Sequence, residues 1–282
     1  MQTSQEPEHF QFELQTDDGL TLFAQGWQPA SSARAIACLV HGIGEHSGRY
    51  AHVGQALCQA GYGLATFDLR GHGHSEGKRG YTPSYATLLQ DIQHFEKEIA
   101  RRYPALPRLL YGHSLGATLV LSLILDYRTE SVGAVITGPL FRTAFEPPSW
   151  KLALGNILYS LWPGFVMSNE LNPHHVSSSP EVVDAYINDP LVHDRLSASL
   201  GIGMLREGAS LLHRAGEIRL PLLLMIGSDD HLVSAEACSE FMAGAGDNCT
   251  LKVWEGLYHE VHNEPIKKEV LAYMVAWMDR LV

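Results

Sequence analysis

Six short apolar runs set the tightest limit on what this chain can fold into. They are AIACLV (35–40), GLATFD (63–68), RLLYG (108–112), GAVIT (133–137), LLLMIG (222–227) and LKVWE (251–255). Each has the length of a strand and is apolar almost throughout. Such strands need cover on both faces, and crossover helices supply it in parallel sheets. Helical segments lie between the runs. Residues 83–102 place Tyr85, Leu88, Leu89, Ile92, Phe95 and Ile99 at spacings of three and four. Thr82 suits the N-cap of that helix and Pro83 its first position. Residues 115–127, 234–243 and 266–281 read as further helices. The alternation predicts the α/β class: an open, mostly parallel sheet with helices on both faces. Near the start, HFQFELQ and LTLFAQGW flank the turn signal Asp17-Asp18-Gly19 and read as a β-hairpin.

The alternation breaks between residues 139 and 217, where no good buried strand is seen. We read residues 1–138 and 218–282 as one α/β core and 139–217 as a helical cap inserted over the sheet. The stretch from Trp150 to Met167 is very apolar, but Lys151, Asn156 and Pro163 interrupt it, which argues against a membrane-spanning helix. It reads either as an ordinary cap helix or as an apolar lip that touches a lipid surface or receives an acyl chain. With 45% hydrophobic and 18% charged residues, the chain has ample material for a large core. The net charge of -11 and the lack of any basic run beyond Lys267-Lys268 argue against nucleic acid as a partner. Cys38, Cys58, Cys238 and Cys249 lack metal or redox spacing and read as buried thiols of a reducing compartment. The N-terminal MQTSQEPEHFQFELQ has neither the basic start nor the apolar middle of a signal peptide, so a cytoplasmic protein is expected.

One strand-to-helix junction carries chemistry. Gly112-His113-Ser114-Leu115-Gly116 fits G-x-S-x-G, follows RLLYG and precedes the apolar helical run TLVLSLIL. That is the context of a nucleophile elbow, in which a strained turn lifts a serine hydroxyl from the carboxyl edge of the sheet. Glycines on either side remove side chains that would strike neighbouring elements. A hydroxyl needs a base, and the elbow predicts a carboxylate and then a histidine downstream. Asp229-Asp230 end LLLMIGSDD, and His259 follows the next strand. Adjacent side chains on an extended segment point opposite ways, so only one aspartate can serve. The Gly-rich loop His41-Gly42-Ile43-Gly44 should bring a second amide to the site, so the N–H groups of Ile43 and Leu115 are expected to form an oxyanion hole.

The 15 histidines invite a metal reading, most of all in GHGHSEG (71–77) with His72 and His74. No H-E-x-x-H or Cys/His spacing accompanies them. A tight loop tied down by Asp68 and Arg70 accounts for the segment, and its glycines miss the dinucleotide pattern by one residue. No metal or organic cofactor is implied, and water is the cosubstrate.

HGIGEHSGRY (41–50), FDLRGHGHSEGKRGY (67–81), GHSLGA (112–117), YINDPLVHD (186–194), GSDDHLV (227–233) and GLYHEVHNE (256–264) together resemble the monoacylglycerol lipase family of α/β-hydrolases, which includes bacterial lysophospholipases. The resemblance runs from about residue 10 to 280 in consistent order. It implies an α/β-hydrolase fold with Ser114 as nucleophile, Asp230 rather than Asp229 as acid, and His259 as base. It also suggests a polar pocket for a glycerol head, with Glu45, Arg49 and His262 either contributing to it or forming salt bridges within the loop scaffold. Residues 140–180 match only loosely. The expected function is therefore serine carboxylester hydrolysis of monoacylglycerols or similar lipid monoesters through an acyl-enzyme. The expected partners are a small lipid ester and, through the cap, a transient lipid-surface contact, with the protein peripheral at a membrane. The alternatives within the fold are a lysophospholipase, a short-chain or aryl esterase, or an amidase using cap carboxylates. Outside hydrolysis, the alternative is a small-molecule-binding protein on the same scaffold.

Overall fold

The computed structural model describes residues 6–282. Met1–Gln5, the first part of the polar stretch read for a leader, lie outside the described residues. The main sheet has eight strands: β1 (Glu8–Gln15), β2 (Thr21–Gln28), β3 (Ala35–Val40), β4 (Tyr62–Phe67), β5 (Arg108–His113), β6 (Gly133–Thr137), β9 (Leu222–Gly227) and β10 (Cys249–Trp254). Their spatial order is β1-β2-β4-β3-β5-β6-β9-β10. The β1–β2 hairpin is antiparallel and joins β4 antiparallel, whereas every pair from β4 to β10 is parallel.

The period of two along each strand divides the core into two layers. From β3, Ile36, Cys38 and Val40 point to one side, where α2 (Tyr85–Arg102), α3 (Leu115–Asp126) and α7 (Ala235–Ala243) pack. Ala35, Ala37 and Leu39 point to the other, against α1 (Ala51–Gln59) and α8 (Lys267–Met278). Continuous apolar strands are the signature of this two-sided burial, which is why β3, β4 and β9 are buried at every position.

Three local expectations are corrected, and one helix is added that the sequence reading lacked. The helix expected from residue 83 begins at Tyr85 and is capped by Ser84, whose hydroxyl accepts from the Thr87 amide. Thr82 instead donates its hydroxyl proton to the Ser84 carbonyl. Helix α1 gives no signal in the sequence; its only buried side chains are Val53, Leu57 and Cys58, too few in AHVGQALCQ for a clear period. Strand β10 is the edge strand rather than a buried one, with Val253 exposed. Finally, the segment between β6 and β9 is not wholly helical. Besides α4 (Ser149–Leu161), α5 (Pro180–Asn188) and α6 (Ala198–Leu211) it carries a two-stranded antiparallel ladder, β7 (Val166–Ser168) with β8 (Arg195–Ser197). No strand of the main sheet lies between β6 and β9 among the described residues. Helix α6 anchors the segment: its backbone at Gly208 runs so close to the Leu140 carbonyl that a Cβ would overlap it.

Candidate active site

Ser114 occupies the junction of β5 and α3 with φ 54° and ψ −118°. A non-glycine residue in that region stores about 1–3 kcal/mol of strain and needs its surroundings to hold it. Here the Ser114 amide donates to the Thr137 carbonyl at 2.9 Å, and its carbonyl accepts from the Thr118 amide at 3.1 Å. The flanking glycines are required by close approach. A Cβ on Gly112 would sit 2.6 Å from the Ala117 Cα, and one on Gly116 would overlap the Val40 carbonyl. The elbow is thus wedged between its own helix and β3.

Opposite it, His259 follows β10 and Asp230 follows β9, both at the carboxyl edge. His259 Nδ1 lies 2.7 Å from Asp230 Oδ2. Asp230 Oδ1 accepts from the amides of Leu232 at 2.8 Å and Val233 at 2.9 Å. Asp229 is exposed and accepts only the neighbouring Ser228 hydroxyl. Burial disfavours the charged form of both pair members, yet their attraction wins. The His259 imidazolium is held above its ordinary value, and the Asp230 carboxyl, helped by the two amides, below its own. Gly138 makes room for the imidazole, since a Cβ there would lie 2.9 Å from His259 Cε1.

Ser114, His259, Gly42 and Ile43 line one cavity of about 250 Å³. Among the described residues, neither the Ile43 nor the Leu115 amide has a hydrogen-bond acceptor. The loop that carries Ile43 is braced by groups that sequence reading did not assign. His41 places Nδ1 2.7 Å from the Gly42 carbonyl and accepts from the Leu69 amide at Nε2. Gly44, at φ 74°, accepts from the His193 amide at 2.8 Å.

The three residues offered for a glycerol head divide. Glu45 does line the cavity, but its oxygens are taken by the Gly42 amide, the Tyr50 hydroxyl and Arg49, each at 2.7 Å. Burial pushes its carboxyl up; the adjoining Arg49 charge, nearby imidazoles and the Tyr50 bond outweigh this and hold it at about 2. Arg49 is not among the cavity-lining residues. It is clamped between Glu45 and Glu260, donating to both Glu260 oxygens at 2.6 and 2.7 Å, with Tyr186 stacked on its guanidinium. His262 is corrected: it is fully buried beneath the site, packed between Tyr50 and His113. Its position in a 3₁₀ turn after His259 directs it into the core. Glu260 escaped the sequence reading because its partner lies 211 residues away. Tyr186, Asn169, His193 and Asp194 complete the polar wall.

A second cavity of about 330 Å³ lies under α4, lined by Phe145, Trp150, Leu154, Leu158, Met204 and Leu205. Ile43, Asn169 and Leu171 line both cavities. Asp68 and Arg70 tie down the GHGHSEG loop as expected: Asp68 accepts from the amides of Ser47 and His74, and Arg70 pairs with Asp91 and Asp18.

Residues 31–266 match the hydrolase family described as serine aminopeptidase, S33. A monoacylglycerol lipase of Mycolicibacterium smegmatis is 35% identical over 92% of this chain and 93% of its own length. The chain belongs to this family of α/β-hydrolases. A solved family structure, the monoacylglycerol lipase of Paleococcus ferrophilus, superposes with a TM-score of 0.83 at 31% identity over 98% of this chain and 100% of that one. An uncharacterized abhydrolase domain-containing protein of Dictyostelium discoideum is 36% identical over 94% of this chain, which spans only 28% of that larger relative. The family's α/β-hydrolase fold is the architecture described above. Among the described residues, no helix is long and apolar enough to cross a membrane.

Proposed function

We propose that the protein is a serine carboxylester hydrolase that cleaves monoacylglycerols to fatty acid and glycerol. The observation that carries this reading is the position of Ile43. A residue whose amide faces no protein acceptor stands where the polar cavity at Ser114 meets the apolar cavity under α4. An ester carbonyl held there has its acyl chain on the apolar side and its alcohol on the polar side. Among the described residues no Lys or Arg side chain lines the polar cavity, whereas Glu45, Asp194 and Glu260 do. A neutral alcohol suits that wall better than a phosphate head, which weighs against a lysophospholipase.

In the proposed reaction Ser114 Oγ attacks the ester carbonyl while His259 Nε2 takes its proton, Nδ1 being occupied by Asp230. The oxyanion is held by the Ile43 and Leu115 amides, the latter at the N-terminus of α3 where the helix dipole is positive. His259 returns the proton to the leaving glycerol. Water, deprotonated by His259, then cleaves the acyl-enzyme. Residues 139–217 act as the cap: α4 lines the acyl cavity with Trp150, Leu154 and Leu158, and offers Ile157 and Leu161, with Trp162 just past its end, all three exposed, to a lipid surface.

The test is hydrolysis of a chain-length series of monoacylglycerols, lysophosphatidylcholine, short aryl esters and an amino-acid arylamide, with Ser114→Ala in parallel. Preference for monoacylglycerols, falling by ~10⁶-fold in Ser114→Ala, is expected. Near-normal turnover in that variant would refute Ser114 as nucleophile. Activity on aryl esters or the arylamide alone would refute the substrate class.

A further inference from the structure

Of the three residues that line both the polar cavity at Ser114 and the apolar cavity under α4, Ile43 and Leu171 have apolar side chains. Asn169 alone brings a polar side chain to that junction. It follows directly on β7, and its backbone amide donates to the Asp194 carbonyl at 2.7 Å, which continues the β7–β8 ladder by one step. A short ladder without a sequence signal therefore carries Asn169 to the site.

The side chain is held as well as the backbone. Oδ1 accepts from the Leu171 amide at 3.0 Å, the turn that asparagine forms with its own backbone two residues on. With the oxygen so engaged, the NH₂ group faces away from that turn, and among the described residues it has no acceptor. A Cβ placed on Gly44 would lie 3.8 Å from Asn169 Nδ2, so this free donor stands beside the loop that carries Ile43.

Elimination among the oxygens of a monoacylglycerol gives the donor its partner. The ester carbonyl oxygen is claimed by the Ile43 and Leu115 amides in the proposed reaction. The alkoxy oxygen has to stay free for the proton that His259 returns. The next oxygen along the alcohol is the hydroxyl on the carbon beside the ester-bearing one, and both the 1-acyl and the 2-acyl isomers carry one there. A simple alkyl ester has only hydrocarbon at that place, so its binding would shut the Asn169 NH₂ away from water without a partner.

We propose that Asn169 is a specificity-determining residue that donates through Nδ2 to the hydroxyl beside the scissile ester, so that the site selects monoesters of 1,2-diols over simple alkyl esters. This role rests on the proposed lipid-ester function and names the feature of the alcohol that the site reads.

The test compares kcat/KM for 2-hydroxyethyl octanoate and propyl octanoate, which differ by a hydroxyl in place of a methyl group. The wild-type protein is expected to favour the hydroxyethyl ester by ~10-fold or more. Asn169→Ala should lower that ratio by ~5-fold or more. Asn169→Ser is the second variant: its hydroxyl still accepts from the Leu171 amide and so preserves the turn, but it is too short to reach the junction, and the ratio should fall to the same extent. Equal kcat/KM for the two esters in the wild type would overturn the assignment, as would a wild-type ratio in either folded variant. A uniform loss on both esters leaves the ratio unchanged and marks a merely structural role, which also overturns it. If the wild type hydrolyses neither ester, the proposed function itself fails and the role of Asn169 falls with it.

Discussion

Asp230→Asn is the substitution that tests most directly how the site is wired. Asp230 Oδ1 accepts two amides, from Leu232 and Val233, and Oδ2 faces His259 Nδ1 at 2.7 Å. An asparagine at this buried position has one acceptor and one donor end. The two amides require its oxygen, so its NH₂ must face the imidazole. His259 then accepts at Nδ1 and carries its proton on Nε2, the nitrogen that has to receive the Ser114 proton. The variant therefore keeps its shape and holds the wrong tautomer. Loss of the carboxylate also removes the charge that stabilises the imidazolium. In a comparable serine-hydrolase arrangement this change costs ~10⁴-fold in kcat, equivalent to about 5.5 kcal/mol of transition-state stabilisation. Asp229→Asn is the control, because Asp229 is exposed and its side chain accepts only the Ser228 hydroxyl. Stopped or steady-state turnover of a soluble ester gives kcat, and thermal unfolding shows whether the fold persists. The reasoning is refuted if folded Asp230→Asn retains kcat within about tenfold of wild type, or if Asp229→Asn is the more damaged of the two.

Two further outcomes follow from the buried imidazoles. His259 must be neutral to act as base, and its value is raised above 6.5, so the acid limb of kcat/KM should have its midpoint above that pH; a midpoint below it would contradict the Asp230 pairing. His113 is pushed down by burial and by the nearby His259 charge, from 6.5 to about 4, so it stays neutral in the fold while the unfolded chain takes up the proton. Stability attributed to it is present above 6.5 and lost as pH falls towards 4, by about 3 kcal/mol in total, so urea midpoints should decline through that window and a flat profile would refute the assignment.

Much of the architecture was legible because it is encoded locally. Doubly buried strands announce themselves as continuous apolar runs, and GHSLGA placed between a strand and a helix dictates an elbow whatever lies around it. Helix α1 stayed hidden because a nine-residue helix with a handful of buried positions leaves no clear period. The β7–β8 ladder stayed hidden because three-residue, largely exposed strands carry no pattern. The residues alone left Asp229 and Asp230 equivalent, and family resemblance preferred the second. The fold supplies a physical reason, since Asp230 is buried within reach of two amides and an imidazole while Asp229 projects into solvent.

By itself the sequence determined the class of fold, the succession of Ser114, Asp230 and His259 at the ends of successive elements, and the glycines that let the backbone pass close to its neighbours. These are properties of short segments and of their succession. Only the tertiary structure decided what Arg49 and His262 do. Glu260 reaches Arg49 across 211 residues and, with Glu45, takes it out of the cavity wall, while His262 turns inward beneath the site. The join of the polar and apolar cavities at Ile43 is of the same kind. Partners and cavities of this sort are made by chain segments that meet only on folding, so no local period or spacing could have shown them.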